Sequence, residues 1–166
     1  MLIVFFSCKE KKIQINNSSS EVLSSENQEQ KNKRKECLEM RTSYLWKAEI
    51  DEKGDDFLIK GGMVSEIGDD LNLISTHLNK LHPPLEVQIL GIEDSVLKVN
   101  FTNESILTQQ LGTTGASQFI VSLVYSFTEN KKIDKVEIDI LEGDHFSSGV
   151  YSRDDFKNEY YILECK

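Results

Sequence analysis

Between residues 111 and 127 the chain runs without a charge. Ala116, Phe119, Ile120, Leu123, Val124 and Phe127 recur at spacings of three and four, which is one broad face of a helix. Val121 and Tyr125 widen that face, and only Ser117, Gln118, Ser122 and Ser126 remain polar. A helix this apolar needs a sheet to lie on. A second helical period precedes it, with Leu71, Ile74, Leu78 and Leu81 on one side. Asp69 is its expected N-cap, and Pro83 and Pro84 stop it.

Elsewhere the period is two. Residues 43–51 place Tyr44, Trp46 and Ala48 on one face of a strand, and a turn around Gly54 follows. Residues 57–64 read as a second short strand that ends at Gly61 and Gly62. Val87 and Ile89 share a face, as do Leu97, Val99 and Phe101, and residues 93–95 join the two runs as an antiparallel hairpin with one wet side. Val136, Ile138 and Ile140 alternate with Glu137 and Asp139 in a further strand. The tail at 160–165 is either a last edge strand or an extension beyond the core. The pattern predicts an α+β fold: two helices packed on one face of a small mixed or antiparallel sheet, in the order β-α-β-β-α-β.

Charge and composition narrow the partners. A net charge of −9 over 166 residues repels nucleic-acid phosphates and anionic lipid head groups, so nucleic acid is excluded as the expected partner. No run of 18 apolar residues exists to cross a membrane. Residues 1–8, MLIVFFSC, are apolar up to Cys8 and are followed at once by KEKK. This is read as the remnant of a lipoprotein signal peptide, with Ser7 as the small residue before the lipidated Cys8; the other reading is a stray apolar N-terminus. Residues 9–36 are rich in Ser, Asn, Gln, Lys and Glu and bury too little to fold. They are expected to form a disordered polar tether, with a folded domain at 37–166. The expected location is therefore extracytoplasmic, anchored at the membrane surface. Three cysteines are present. With Cys8 acylated, Cys37 and Cys165 either form a disulfide closing the domain or stay as two thiols.

The candidate chemistry is sparse. LGTTG at 111–115 has the glycines of a phosphate loop but lacks both a strand directly before it and a Lys or third Gly at the required spacing. The expectation is structural: Thr113 or Thr114 caps the helix and the glycines allow a sharp turn. His77, His82 and His145 form no pair at metal-ligand spacing, and Cys37 and Cys165 have no ligand partner nearby in sequence. Asp51, Asp55 and Asp56 surround Gly54 at the wrong offset for a calcium loop and read as a solvated turn. The loop 142–153 gathers Asp144, His145 and Arg153, which motivates an alternative reading as a small-ligand-binding or hydrolytic domain. No catalytic residue, metal or cofactor is assigned.

The stretch from Leu71 to about Arg153 resembles the GerMN domain of sporulation and spore-germination proteins. An amphipathic helix (LNLISTHLNKLHPP) leads to a strand pair (EVQILGIEDSVLKVNF). A glycine turn then enters a long apolar helix (LGTTGASQFIVSLVYSFTE), and a strand ends at glycine (IDKVEIDILEG). Asn100, Ser126-Phe127-Thr128 and Lys132 depart from the usual pattern. The resemblance implies a ring-building-like module, non-enzymatic and membrane-anchored, that works through a protein partner or self-assembly. The positions carried over are structural: Gly112, Gly115, Leu123, Phe127, Val136 and Gly143.

Overall fold

Strand β1 (Trp46–Ile50) and strand β2 (Asp56–Lys60) form where the alternation and the Gly54 turn predict them. They pair antiparallel from Trp46 opposite Lys60 to Ile50 opposite Asp56. Gly54 has a φ of +88°, a left-handed conformation that glycine tolerates best. The computed structural model describes residues 31–164, apart from 33, 36, 40–44, 63–66, 68 and 141–144. The chain divides into two compact units, Met1–Lys33 and Arg34–Lys166, and the second carries the elements that follow.

Helix α1 (Leu71–Leu78) buries Ile74, Ser75 and Leu78. Its cap is Asp70, not Asp69: the Asp70 carboxylate accepts the N–H groups of Asn72 and Leu73 at 3.0 and 3.1 Å. The helix also stops before the prolines. Its last cap, Asn79, turns its side chain away to accept the N–H of Val87 at 2.7 Å, so Leu81 packs on the core from a turn beyond the helix.

Strands β3 (Glu86–Glu93) and β4 (Val96–Thr102) make the expected hairpin. Its two-residue turn puts Asp94 and Ser95 both at positive φ, the sense that matches strand twist. A bulge between Ile89 and Gly91 resets the register. A π-helical turn, Ile106–Gln110, comes next and runs into helix α2 (Gly112–Phe127). Strand β5 (Lys135–Ile138) then returns parallel to β4, and strand β6 (Gly149–Tyr151) pairs antiparallel to β5. A short helix α3 (Arg153–Phe156) precedes strand β7 (Tyr161–Ile162).

The fold is α+β, and its strands lie in two sheets where one was expected. One sheet has the order β1-β2-β7 and the other β3-β4-β5-β6. Among the described residues the outer edge of β1 pairs with no strand, and α2 lies along it, its serines bonded to the β1 backbone. One core joins both layers: Trp46, Ala48 and Leu58 from the first sheet, Leu97, Val99 and Ile138 from the second, and Phe119, Leu123 and Phe127 from α2. A full-length core aromatic such as Phe127 buried here contributes about 1.5–3 kcal/mol by area removed from water.

The expected lipoprotein leader at 1–8, Tyr44, Gly143, Asp144 and Cys165 lie outside the described residues. So does the expected tether as far as residue 30. At its end, residues 31, 32, 34 and 35 are helical. Lys, Arg and Glu favour helix there, and Lys35 pairs with Glu39 one turn on at 3.7 Å.

Candidate functional site

The glycine turn does what backbone geometry requires. Gly112 sits at a φ of +68°, which breaks the helical path between Gln110 and α2. Gly115 leaves room for Leu111, whose Cβ lies 3.2 Å from where a Cβ would stand. Neither threonine caps α2, because the π-helical turn already runs into it and the position before Gly112 is Leu111 in a helical conformation. Thr113 Oγ1 instead meets His145 Nδ1 at 3.2 Å.

The serines that look like leftovers on the apolar helix bind strand β1. Ser122 Oγ accepts the N–H of Ala48 at 2.9 Å, and Ser126 Oγ accepts the N–H of Trp46 at 3.3 Å. Each hydroxyl also donates within the helix, Ser122 to Gln118 O at 2.7 Å and Ser126 to Ser122 O at 2.6 Å. Donor and acceptor capacity are both used, so burial of these groups costs little. Their spacing of four along the helix is the signal that could have found this seam.

At the C-terminal end of α2, a polar knot ties four elements. Glu129 accepts from Trp46 Nε1 at 2.9 Å, Arg153 Nη2 at 2.7 Å and Lys60 Nζ at 2.9 Å. Arg153 also donates to Thr128 Oγ1 at 2.7 Å and to the Tyr125 carbonyl at 2.8 Å. Its guanidinium lies 4.9 Å from the Tyr125 ring centre and 5.5 Å from that of Trp46. A cation at a helix C-terminus is favourable, and the planar fork suits this divided set of acceptors. Burial pushes the Glu129 carboxyl up, but the bonds from Lys60, Arg153 and Trp46 hold it below its usual range.

A cleft of about 240 Å³ opens one helical turn before Ser122. Gln118, Gly115 and Phe119 of α2 line it, with Lys47 and Glu49 of β1 and with His82. Lys47 and Glu49 are ion-paired. His82 stands edge-on to Phe119, with ring centres 5.6 Å apart. Burial, and then the Lys47 charge, lower its pKa, so its neutral form is favoured.

The remaining candidates separate in space or serve turns. Arg153 faces Glu129 in the knot, while His145 faces Thr113, so the loop 142–153 does not bring these two to a common point. Asp51 Oδ1 accepts the N–H groups of Lys53 and Asp55 at 2.8 and 3.0 Å, which fixes the Gly54 turn. Among the described residues no group of three or more His, Cys, Asp or Glu is placed to hold a metal ion. No described helix is long and apolar enough to cross a membrane. Cys37 is buried and disulfide-bonded. Helix α3 escaped the pattern reading, although its capping box is written in the sequence: Asp155, three residues after Ser152, accepts the Ser152 N–H at 2.7 Å.

Two sheets meeting across one uncharged helix, entered by a glycine turn, define an α+β domain whose organising element is α2. A family model described as Germane, sporulation and spore germination, matches residues 58–144, and the chain belongs to this family. The match runs from the middle of β2 past β5 and contains the glycine turn, α2 and the β3–β4 hairpin. No curated protein and no solved structure matches the chain.

Proposed function

We propose that this chain is a non-enzymatic, extracytoplasmic lipoprotein whose Germane domain works by assembling with a protein partner or with copies of itself. The observation that carries the reading is the disulfide at Cys37. Structural disulfides persist in oxidising compartments and are rare in the cytosol. The membership of a sporulation and spore-germination family supports a role in that context. The way the conspicuous polar side chains are used supports a non-enzymatic domain. Ser122, Ser126, Glu129, Arg153 and Asp51 all bind backbone or one another. Cys8 is the lipid attachment point in this reading, which keeps the domain at the membrane surface.

Metabolic labelling with a palmitate analogue tests the anchor. Full-length protein takes up the label and the Cys8→Ser variant does not; a wild-type chain that stays unlabelled overturns the lipoprotein reading. Light scattering on the full-length protein over a wide concentration range tests self-assembly, with growth in mass at high concentration as the expected result. A constant monomer mass removes self-assembly and leaves a protein partner. The alternative, ligand binding or hydrolysis by the loop 142–153, requires His145→Ala to abolish an activity.

A further inference from the structure

The seam along α2 stops one step early. Ser126 and Ser122 each take a β1 N–H, and Gln118 stands at the next place in the same spacing of four. Gln118 makes no third rung: among the described residues its carboxamide has no hydrogen-bond partner. The cleft of about 240 Å³ opens there, and His82 lines it as well. The ring nitrogens of His82 also lack a partner among the described residues. The ring is held all the same, edge-on to Phe119, and the His82 carbonyl accepts the Leu85 N–H at 2.9 Å. Burial and the Lys47 charge favour its neutral form. Ser122, Ser126, Glu129 and Arg153 direct their polar groups to the protein; these two side chains do not. A neutral imidazole offers one donor and one acceptor, and a carboxamide offers both kinds. Lys47 and Glu49 are ion-paired on the same lining, so their charges balance.

We propose that this cleft binds a compact, uncharged amide, with Gln118 and His82 as its hydrogen-bonding residues. An amide carries a donor N–H and an acceptor C=O, which answers the donor and acceptor that each residue presents. An anion would meet Glu49 and a cation would meet Lys47, so a lining of balanced charge favours neither. Apolar atoms of the ligand rest on Leu81, Ala48 and Phe119. Pockets for drug-sized molecules run from roughly 300 to 1,000 Å³. A cleft of about 240 Å³ takes something smaller, of dipeptide size or less. The loop 142–153 contributes no lining residue, so this site is separate from it and does not depend on assembly of the domain.

Titration of the full-length protein with N-acetylalaninamide, followed by NMR, tests the site. Saturating shifts of the Gln118 side-chain amide and of the His82 ring protons are expected, with a dissociation constant in the millimolar range for so small a probe. Acetate and methylammonium, the charged counterparts, must leave those signals in place. Gln118→Met keeps the length and helix preference of the side chain, and the Gln118 carboxamide has no bond to lose, so the variant unfolds at the same urea concentration as wild type. Its affinity for the probe falls about fivefold, the worth of one neutral hydrogen bond. The absence of a saturable shift at Gln118 and His82 overturns the proposal. So does equal binding of acetate or methylammonium, and so does an unchanged affinity in Gln118→Met.

Discussion

Helices finish two strand edges in this protein, and they do so unequally. Along β1, Ser126 and Ser122 of α2 take the N–H groups of Trp46 and Ala48 in two successive rungs. Along β3, α1 serves one residue: Asn79 accepts the Val87 N–H and Ser75 donates to the Val87 carbonyl at 2.8 Å. Beyond it, Leu90 and Ile92 of β3 are exposed, as is Leu73 of α1. The repeat lengths permit a ladder in both places, because one helical step of four residues rises about 6 Å and two strand residues rise about 6.7 Å. On α2 the residue four along from Ser126 is another serine. On α1 the residue four before Ser75 is Leu71, which has no hydrogen-bonding group. At α1 the two polar side chains four apart, Ser75 and Asn79, converge on the single residue Val87, whereas at α2 Ser122 and Ser126 serve two successive strand N–H groups.

The β1 seam therefore carries the larger penalty. Ser122→Ala with Ser126→Ala removes two acceptors from buried N–H groups, each worth about 1–3 kcal/mol when left unsatisfied. The two sites are neighbours and need not add. Urea unfolding reads the loss, about 2–4 kcal/mol. A loss no larger than that of the paired change on α1 would erase the distinction between the edges. Arg153→Ala comes next. It removes one of the three donors to Glu129 and the short bond to the Tyr125 carbonyl, and takes the cation from two aromatic faces. Its side chain is over a third exposed, so about 1–2 kcal/mol is expected, and Arg153→Lys recovers little because an ammonium cannot reach the same acceptors at once.

Much of this was legible beforehand, for physical reasons that differ by element. Helix α2 was readable because its period runs over four turns, and all six of its patterned residues, Ala116 to Phe127, are buried. The β3–β4 hairpin was readable from alternation alone. What periodicity could not show was the second sheet. The same alternation serves a strand in either sheet, and only the helix on the β1 edge separates them. The tail's edge strand was visible as a possibility, whereas its parallel partner β2 lies about a hundred residues away in sequence, beyond any local signal. The cap of α1 slipped by one residue because Asp69 and Asp70 are chemically identical, and only backbone direction chooses between them. The seam serines were visible only as polar residues left on an apolar helix and could not be assigned, since their partners are backbone N–H groups that carry no sequence signature. The Glu129 knot joins residues from positions 46 to 153, which no spacing rule connects.

On the weaker edge, Ser75→Ala and Asn79→Ala are each expected to lose about 1 kcal/mol in the same unfolding experiment. Their combined effect should stay below that of the α2 serines, because only Val87 loses partners.

The smallest expected effect is a pH dependence confined to the β1 side. In the folded protein, burial raises the Glu129 pKa, and its three donors lower it further than burial raises it, so the folded value lies below the ordinary carboxylate value. A depressed folded pKa means that the unfolded chain binds the proton first as pH falls. The stabilisation is thus complete above the ordinary value of about 4.3 and drains away as pH drops through the lower, folded value. Asp51, Glu93 and Asp155 are lowered too, by the Asp55 N–H, by Lys98 and by Ser152. They are common to wild type and Glu129→Gln, so the difference between those two proteins isolates Glu129. Unfolding free energies measured at pH 6 and pH 3 should fall more steeply in wild type than in Glu129→Gln. Parallel curves would mean that the knot holds β1 by packing of Arg153 on Trp46 and Tyr125 and not by charge, which would leave the serine rungs as the only polar difference between the two edges.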